Sequence, residues 1–104
     1  MITCYIRYTI DMYKVDEFEE YARRWIPLVE RFGGTHHGYF LPHESNSDLA
    51  VALFSFPSMA EYEQYRTESK KDAECQAAYE FASETRCIIR YERHFLRPLR
   101  GTNE

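Results

Sequence analysis

The sequence predicts an α+β domain whose elements run βαββαβ, and three observations carry that prediction. Segments near both ends, Ile2 to Ile10 and Cys87 to Phe95, place their side chains with period two. Leu49 to Phe56 is a nearly unbroken apolar run. Two stretches between these strands carry apolar residues every three to four positions behind capping signatures.

At 104 residues the chain has the size of one domain, expected to span residues 1–104. Its composition is 44% hydrophobic and 16% aromatic, too apolar for disorder, while 29% charged residues favour solubility. A net charge of -4 argues against nucleic acid as a partner, which would demand a basic stripe. The densest basic stretch, Arg86 to Arg100, is interrupted by Glu92 and spreads its charges over both sides of a strand. The three cysteines, Cys4, Cys75 and Cys87, lack C-x-x-C spacing, so neither a disulfide framework nor a zinc knuckle follows and a reducing cytoplasm is expected. No apolar run approaches the length of a membrane span, and the first residues enter a strand without a basic, then apolar, leader, so membrane insertion and secretion are not expected.

In the first strand Ile2, Cys4, Ile6, Tyr8 and Ile10 share one side, and Thr3, Tyr5, Arg7 and Thr9 the other. Asp16, with Glu19 three residues on, has capping-box spacing and predicts the start of the first helix. Phe18, Tyr21, Ala22, Trp25, Leu28, Val29 and Phe32 form its apolar stripe. Pro27 lies inside that stripe and predicts a kink rather than an end, because the period persists beyond it; Gly33-Gly34 ends the helix. Thr35 to Pro42 reads as the second strand, joined to the third, Leu49 to Phe56, by the turn-rich run His43 to Asp48. Ser58 with Glu61 opens a second helical region, which a polar break from Thr67 to Lys71 divides before Asp72. The final strand sets Ile89, Tyr91, Arg93 and Phe95 against Ile88, Arg90, Glu92 and His94. Leu96 to Glu104 reads as an arm.

This order predicts the ferredoxin-like arrangement, a four-stranded antiparallel sheet with its helices on one face and strands one and three in the centre. The third strand is apolar on both sides, so its second face needs a cover. Either a second copy of the chain or a large ligand could supply it, and a homodimer is the expectation.

Three stretches carry a family resemblance: Arg24-Trp25-Ile26-Pro27-Leu28-Val29, Gly33-Gly34-Thr35-His36-His37-Gly38-Tyr39-Phe40 and Glu84-Thr85-Arg86. With these the chain resembles a small bacterial member of the NIPSNAP family over nearly its whole length. The resemblance implies a dimeric α/β barrel, related in fold to cofactorless monooxygenases, some haem proteins and muconolactone isomerase-like enzymes, and implies no settled activity.

Tyr5 and Arg7 lie opposite the aliphatic side of the first strand and are expected on the open sheet face. If Arg90, Glu92 and His94 turn to that face, and His37 and Tyr39 join them from the second strand, the set forms a cavity of cations, a carboxylate, imidazoles and phenols. Such a group could bind a carboxylate or enol, with His94 or His37 as general base, or could serve only as an intersubunit salt-bridge network. His36, His37 and His43 match no zinc pattern, and adjacent strand residues point apart, so no metal or cofactor is expected. The three thiols sit in apolar patterns and read as buried and inert. Two functional readings follow: a homodimeric small-molecule-binding or interaction module, or a cofactor-independent monooxygenase- or isomerase-like enzyme acting on an aromatic or enolisable substrate.

Overall fold

The computed structural model describes residues 1–44 and 47–99. Its elements are β1 (Ile2–Ile10), α1 (Val15–Arg31), β2 (Thr35–Phe40), β3 (Leu49–Phe56), α2 (Met59–Ser69), α3 (Ala73–Thr85) and β4 (Ile88–Leu96). The strands form one antiparallel sheet in the order β2-β3-β1-β4, which is the ferredoxin-like arrangement with β3 and β1 in the centre.

The alternation of β1 sorts its side chains as the period requires. Cys4, Ile6, Tyr8 and Ile10 are buried beneath the helices, whereas Arg7 is exposed on the other face. β3 does the same with a more apolar sequence: Ala50, Ala52, Phe54 and Phe56 are buried under the helices, and Val51 and Leu53 are half-buried on the open face. The second helical region is two helices, as the polar break predicts, with the Asp72 carboxylate accepting from the Cys75 backbone N–H at 3.0 Å to start α3. Ser58 performs the same task for α2, its Oγ accepting from the Glu61 N–H at 3.2 Å.

The start of α1 differs from the capping-box expectation. Lys14 occupies the N-cap without a side-chain cap, because its carbonyl already accepts the first-turn bond from the Phe18 N–H at 3.0 Å. Asp16 and Glu17 therefore lie inside the first turn, where their charges complement the helix dipole. The freed Lys14 ammonium donates to the Thr85 carbonyl oxygen at the end of α3. α1 continues through Pro27 to Arg31.

Gly33 and Gly34 stop the helix for two different reasons. Gly33 takes φ +96, a left-handed conformation, and donates to the Glu30 carbonyl at 3.1 Å; Gly34 donates to the Val29 carbonyl at 3.0 Å. Gly34 is needed for closeness: a Cβ there would stand 2.8 Å from Phe56 Cζ and 2.8 Å from Val29 Cγ1. β2 ends at Phe40, short of the Pro42 expected, and the expected turn includes Ser45 and Asn46, outside the described residues.

The helices cover the sheet unevenly. α3 is fastened to α1: Trp25 meets Tyr79 with ring centroids 4.9 Å apart, the Arg24 guanidinium lies 4.4 Å over the Phe81 ring, and Arg31 pairs with Asp72 at 2.7 Å. On β4 the helix-side rings of Tyr91 and Phe95 consequently remain 53% and 40% exposed, although the neighbouring β1 is sealed. Gly34→Ala is expected to lower unfolding stability by about 1–3 kcal/mol, since Phe56 and Val29 are packed core side chains that cannot both yield. Urea denaturation checks this, and an unchanged midpoint would refute the close-approach account.

Candidate functional site

On the open face, β1 and β4 pair Arg7 with Glu92, Tyr5 with His94 and Thr9 with Arg90. Glu92 sits between two partners: its Oε2 is 4.0 Å from Arg7 Nη1 and 3.9 Å from His94 Nε2. The Tyr5 and His94 rings are 6.0 Å apart. His37 is hydrogen-bonded through Nε2 to Ser55 Oγ at 2.8 Å, and Ser55 in turn to Thr3 Oγ1 at 2.8 Å. The hollow among Arg7, Thr9, Arg90 and Glu92 holds only about 10 Å³, room for a single water. Six of the seven expected site residues therefore share this face; Arg7, Glu92, His94 and Tyr5 lie together, His37 turns to Ser55, and among the described residues no sizeable cavity lies between them.

Tyr39 is not among them. Strict alternation would put it beside His37, but the register shifts between His36 and Gly38, with Gly38 at φ +114. This bulge turns both His36 and Tyr39 to the helix side, where their rings stack at 5.0 Å and Tyr39 meets Phe18 edge-on at 5.9 Å. A second irregularity, between Thr9 and Ile10, brings Ile88 to the helix side of β4, away from the Arg90 and Glu92 side on which alternation placed it.

Besides a hollow of about 400 Å³ on the outer surface between α1 and α3, lined by Arg24, Pro27, Leu28, Arg31, Glu74 and Ala77, a cavity lies on the opposite side of the sheet, under the helices. An inner chamber of about 40 Å³ is walled by Trp25, Val29, Phe54, Tyr62 and Tyr65. It shares Tyr8, Tyr21, Arg66, Tyr79 and Arg93 with an outer chamber of about 280 Å³ that opens between α3 and β4 past Ser83, Ile88 and Tyr91. The uneven fastening of α3 creates this opening.

Its chemistry is phenolic and cationic. Burial holds the Tyr8, Tyr21, Tyr39 and Tyr65 hydroxyls well above the ordinary tyrosine pKa, so they remain neutral. Burial likewise pushes the Cys4 thiol up to about 11, against the opposing pull of Arg93 and Arg66, which keeps it an unreactive thiol. Arg66 Nη1 donates to the Tyr62 hydroxyl at 3.0 Å, and the Arg93 guanidinium lies 5.4 Å from the Tyr91 ring centroid. The Nε of each arginine is buried without a hydrogen-bond acceptor, and among the described residues no carboxylate forms an ion pair with either. No group of three His, Cys, Asp or Glu suited to a metal occurs among the described residues.

Sequence reasoning assigned no role to Arg66 or Arg93, although both left a signal. Arg66 follows Tyr62 by four residues and precedes Ser69 by three, so it extends the buried face of α2. Arg93 alternates with Tyr91 and Phe95, which puts a cation on the core side of β4.

A family model for NIPSNAP matches residues 4–101. The chain belongs to the NIPSNAP family. Solved structures agree with that membership in fold. A protein from Agrobacterium tumefaciens, 16% identical, superposes with a TM-score of 0.83 over 96% of this chain and 95% of its own. A NIPSNAP family protein from the same organism, 20% identical, reaches 0.79 over 94% and 92%. A candidate antibiotic biosynthesis monooxygenase from Nitrosomonas europaea, 10% identical, reaches 0.75 over 96% and 100%. At these identities the likeness establishes the fold alone. No curated protein matches the chain by sequence.

In this NIPSNAP chain the bulge also sets a pH response. His36 Nδ1 accepts from the Gly38 N–H at 2.9 Å, while Nε2 is buried without a partner. Burial lowers the imidazole pKa from 6.5 to about 4. Above pH 6.5 both folded and unfolded forms are neutral and the residue contributes no pH dependence. Between 6.5 and about 4 the unfolded chain binds the proton first, so stability falls as pH falls, and the loss levels off below the folded value. Allowing for partial exposure, His36 is expected to remove on the order of 1–2 kcal/mol between pH 7 and 4.5. Urea titrations at the two pH values should give a shallower loss for His36→Gln, and parallel losses in both proteins would refute the assignment.

Proposed function

We propose that this NIPSNAP protein is a homodimeric small-molecule-binding protein in which two open sheet faces meet and the cavity beneath each helix layer takes the ligand. The observation that carries the reading is the ring-lined chamber of about 280 Å³ between α3 and β4. Its size approaches the lower end of ordinary ligand pockets, and it joins apolar walls to a few polar groups.

The dimer rests on the other face. Val51 and Leu53 occupy its centre, with Phe40 and Leu96 more than half exposed at its sides. Glu92 lies between Arg7 and His94, so the face offers both signs of charge along with apolar area, as a two-fold contact requires. Burial between two sheets would desolvate these ion pairs, a cost that the apolar area around Val51 and Leu53 would have to outweigh.

The lining residues favour binding over turnover. They supply rings, phenols and guanidinium groups, and neither an imidazole nor a carboxylate that could take a proton from a substrate.

Native mass spectrometry of the protein purified from its own cells tests both halves. A dimer mass with a small organic adduct is expected; a monomer would refute the pairing, and a dimer free of adduct would count against the ligand. Leu53→Glu, which places a charge at the middle of the open face, is expected to convert the dimer to monomer at micromolar concentration by light scattering. A dimer that survives it would move the interface elsewhere.

A further inference from the structure

We infer that Arg66 and Arg93 form a two-guanidinium clamp for the carboxylate of an aromatic acid, held with its ring among Tyr21, Tyr79 and Tyr91 in the outer chamber. The inference rests on the reading of the cavity as a ligand site and specifies its ligand.

Convergence of the two cations follows from the fold. Arg66 comes from the last turn of α2 and Arg93 from the middle of β4, yet both line the inner and the outer chamber and both act electrostatically on the Cys4 thiol of β1. The two positive charges therefore share one half-buried space. Outside this space Arg7 has Glu92, Arg23 has Glu19, Arg24 has Glu20, and Arg31 has Asp72 and Glu74, while Arg86, Arg90 and Arg97, with no acid in ion-pair range among the described residues, are exposed to water. Arg66 and Arg93 have none among the described residues, and each keeps a buried N–H without an acceptor. Two like charges held together with unsatisfied donors are costly, and an anion entering between them removes both costs.

Tyr8, Tyr21, Tyr39 and Tyr65 are kept protonated by burial and cannot supply that anion, and no carboxylate lines the chambers, so the countercharge must arrive with the ligand. A carboxylate fits the planar guanidinium fork. The ring is specified by the walls of the chamber of about 280 Å³, Tyr8, Tyr21, Tyr79 and Tyr91, on which an aromatic ligand can pack edge-on or offset, and Trp25 stands behind Tyr79 with ring centroids 4.9 Å apart. The Tyr62 hydroxyl, accepting from Arg66 Nη1 at 3.0 Å, positions one half of the clamp.

The single tryptophan, Trp25, lines the inner chamber behind Tyr79 and reports binding. Quenching of its fluorescence would be titrated at pH 7.5 with benzoate and 2-naphthoate, with benzamide and 2-naphthamide as their neutral counterparts, and with phenyl phosphate. The acids are expected to bind about tenfold or more tightly than their amides. Arg66→Met and Arg93→Met should each reduce that preference by about tenfold without weakening amide binding, whereas Arg23→Met, on the solvent side of α1, should leave it intact. Equal binding of acid and amide would overturn the clamp and leave the ligand cavity standing. Tighter binding of phenyl phosphate would overturn the carboxylate assignment. No quenching by any compound at millimolar concentration would overturn the cavity reading and the clamp with it. The acid preference of the unmodified protein decides the question even if an arginine variant fails to fold.

Discussion

The anchoring of α3 to α1 is the constraint from which the rest of the structure follows. A helix pair about 20 Å wide could cover four strands spaced by about 4.8 Å. Here Trp25 with Tyr79, Arg24 with Phe81 and Arg31 with Asp72 draw α3 onto α1. The β1 strand is sealed as a result, while the helix side of β4 is left partly open beside Tyr91 and Phe95. The chamber between α3 and β4 is a consequence of where the third helix is tied.

The choice of core aromatic makes that chamber chemically different from a packing defect. A gap lined by leucine and phenylalanine stays dry and asks for nothing but filling. Here Tyr8, Tyr21, Tyr62, Tyr65 and Tyr79 contribute hydroxyls to the lining, and Arg66 and Arg93 contribute charge. Each phenol buries a ring and leaves a polar tip that must be satisfied by a neighbour, as Tyr62 is by Arg66. Ile6, Val29 and Phe54 complete the inner wall with apolar surface.

The architecture was legible in the sequence because period and capping are local. The alternation from Ile2 to Ile10, the stripe from Phe18 to Phe32 and the apolar run from Leu49 to Phe56 each identify an element without knowledge of its neighbours. The site was only half legible. Alternation correctly separated Tyr5 and Arg7 from the core side of β1, but failed for Tyr39, where one additional residue at the bulge reverses the phase. It failed again at Lys14, whose backbone started the helix without a capping side chain. The helix-side cavity was invisible for a different reason: no single element contains it, since Arg66, Tyr79 and Arg93 are brought together only by the position of α3 relative to β4.

The two faces of the sheet are distinguished most clearly by what their charges do. On the open face Glu92 lies between Arg7 and His94, and His37 is bonded to Ser55, so each of these polar groups already has a partner within its own chain. On the helix side two arginines face a wall of tyrosine rings with buried N–H groups still unsatisfied. A protein gains little stability from cations placed in this way, because their desolvation is not offset by any acid of its own. Their placement is accounted for if the compensating charge is carried in from outside, as the proposed clamp requires.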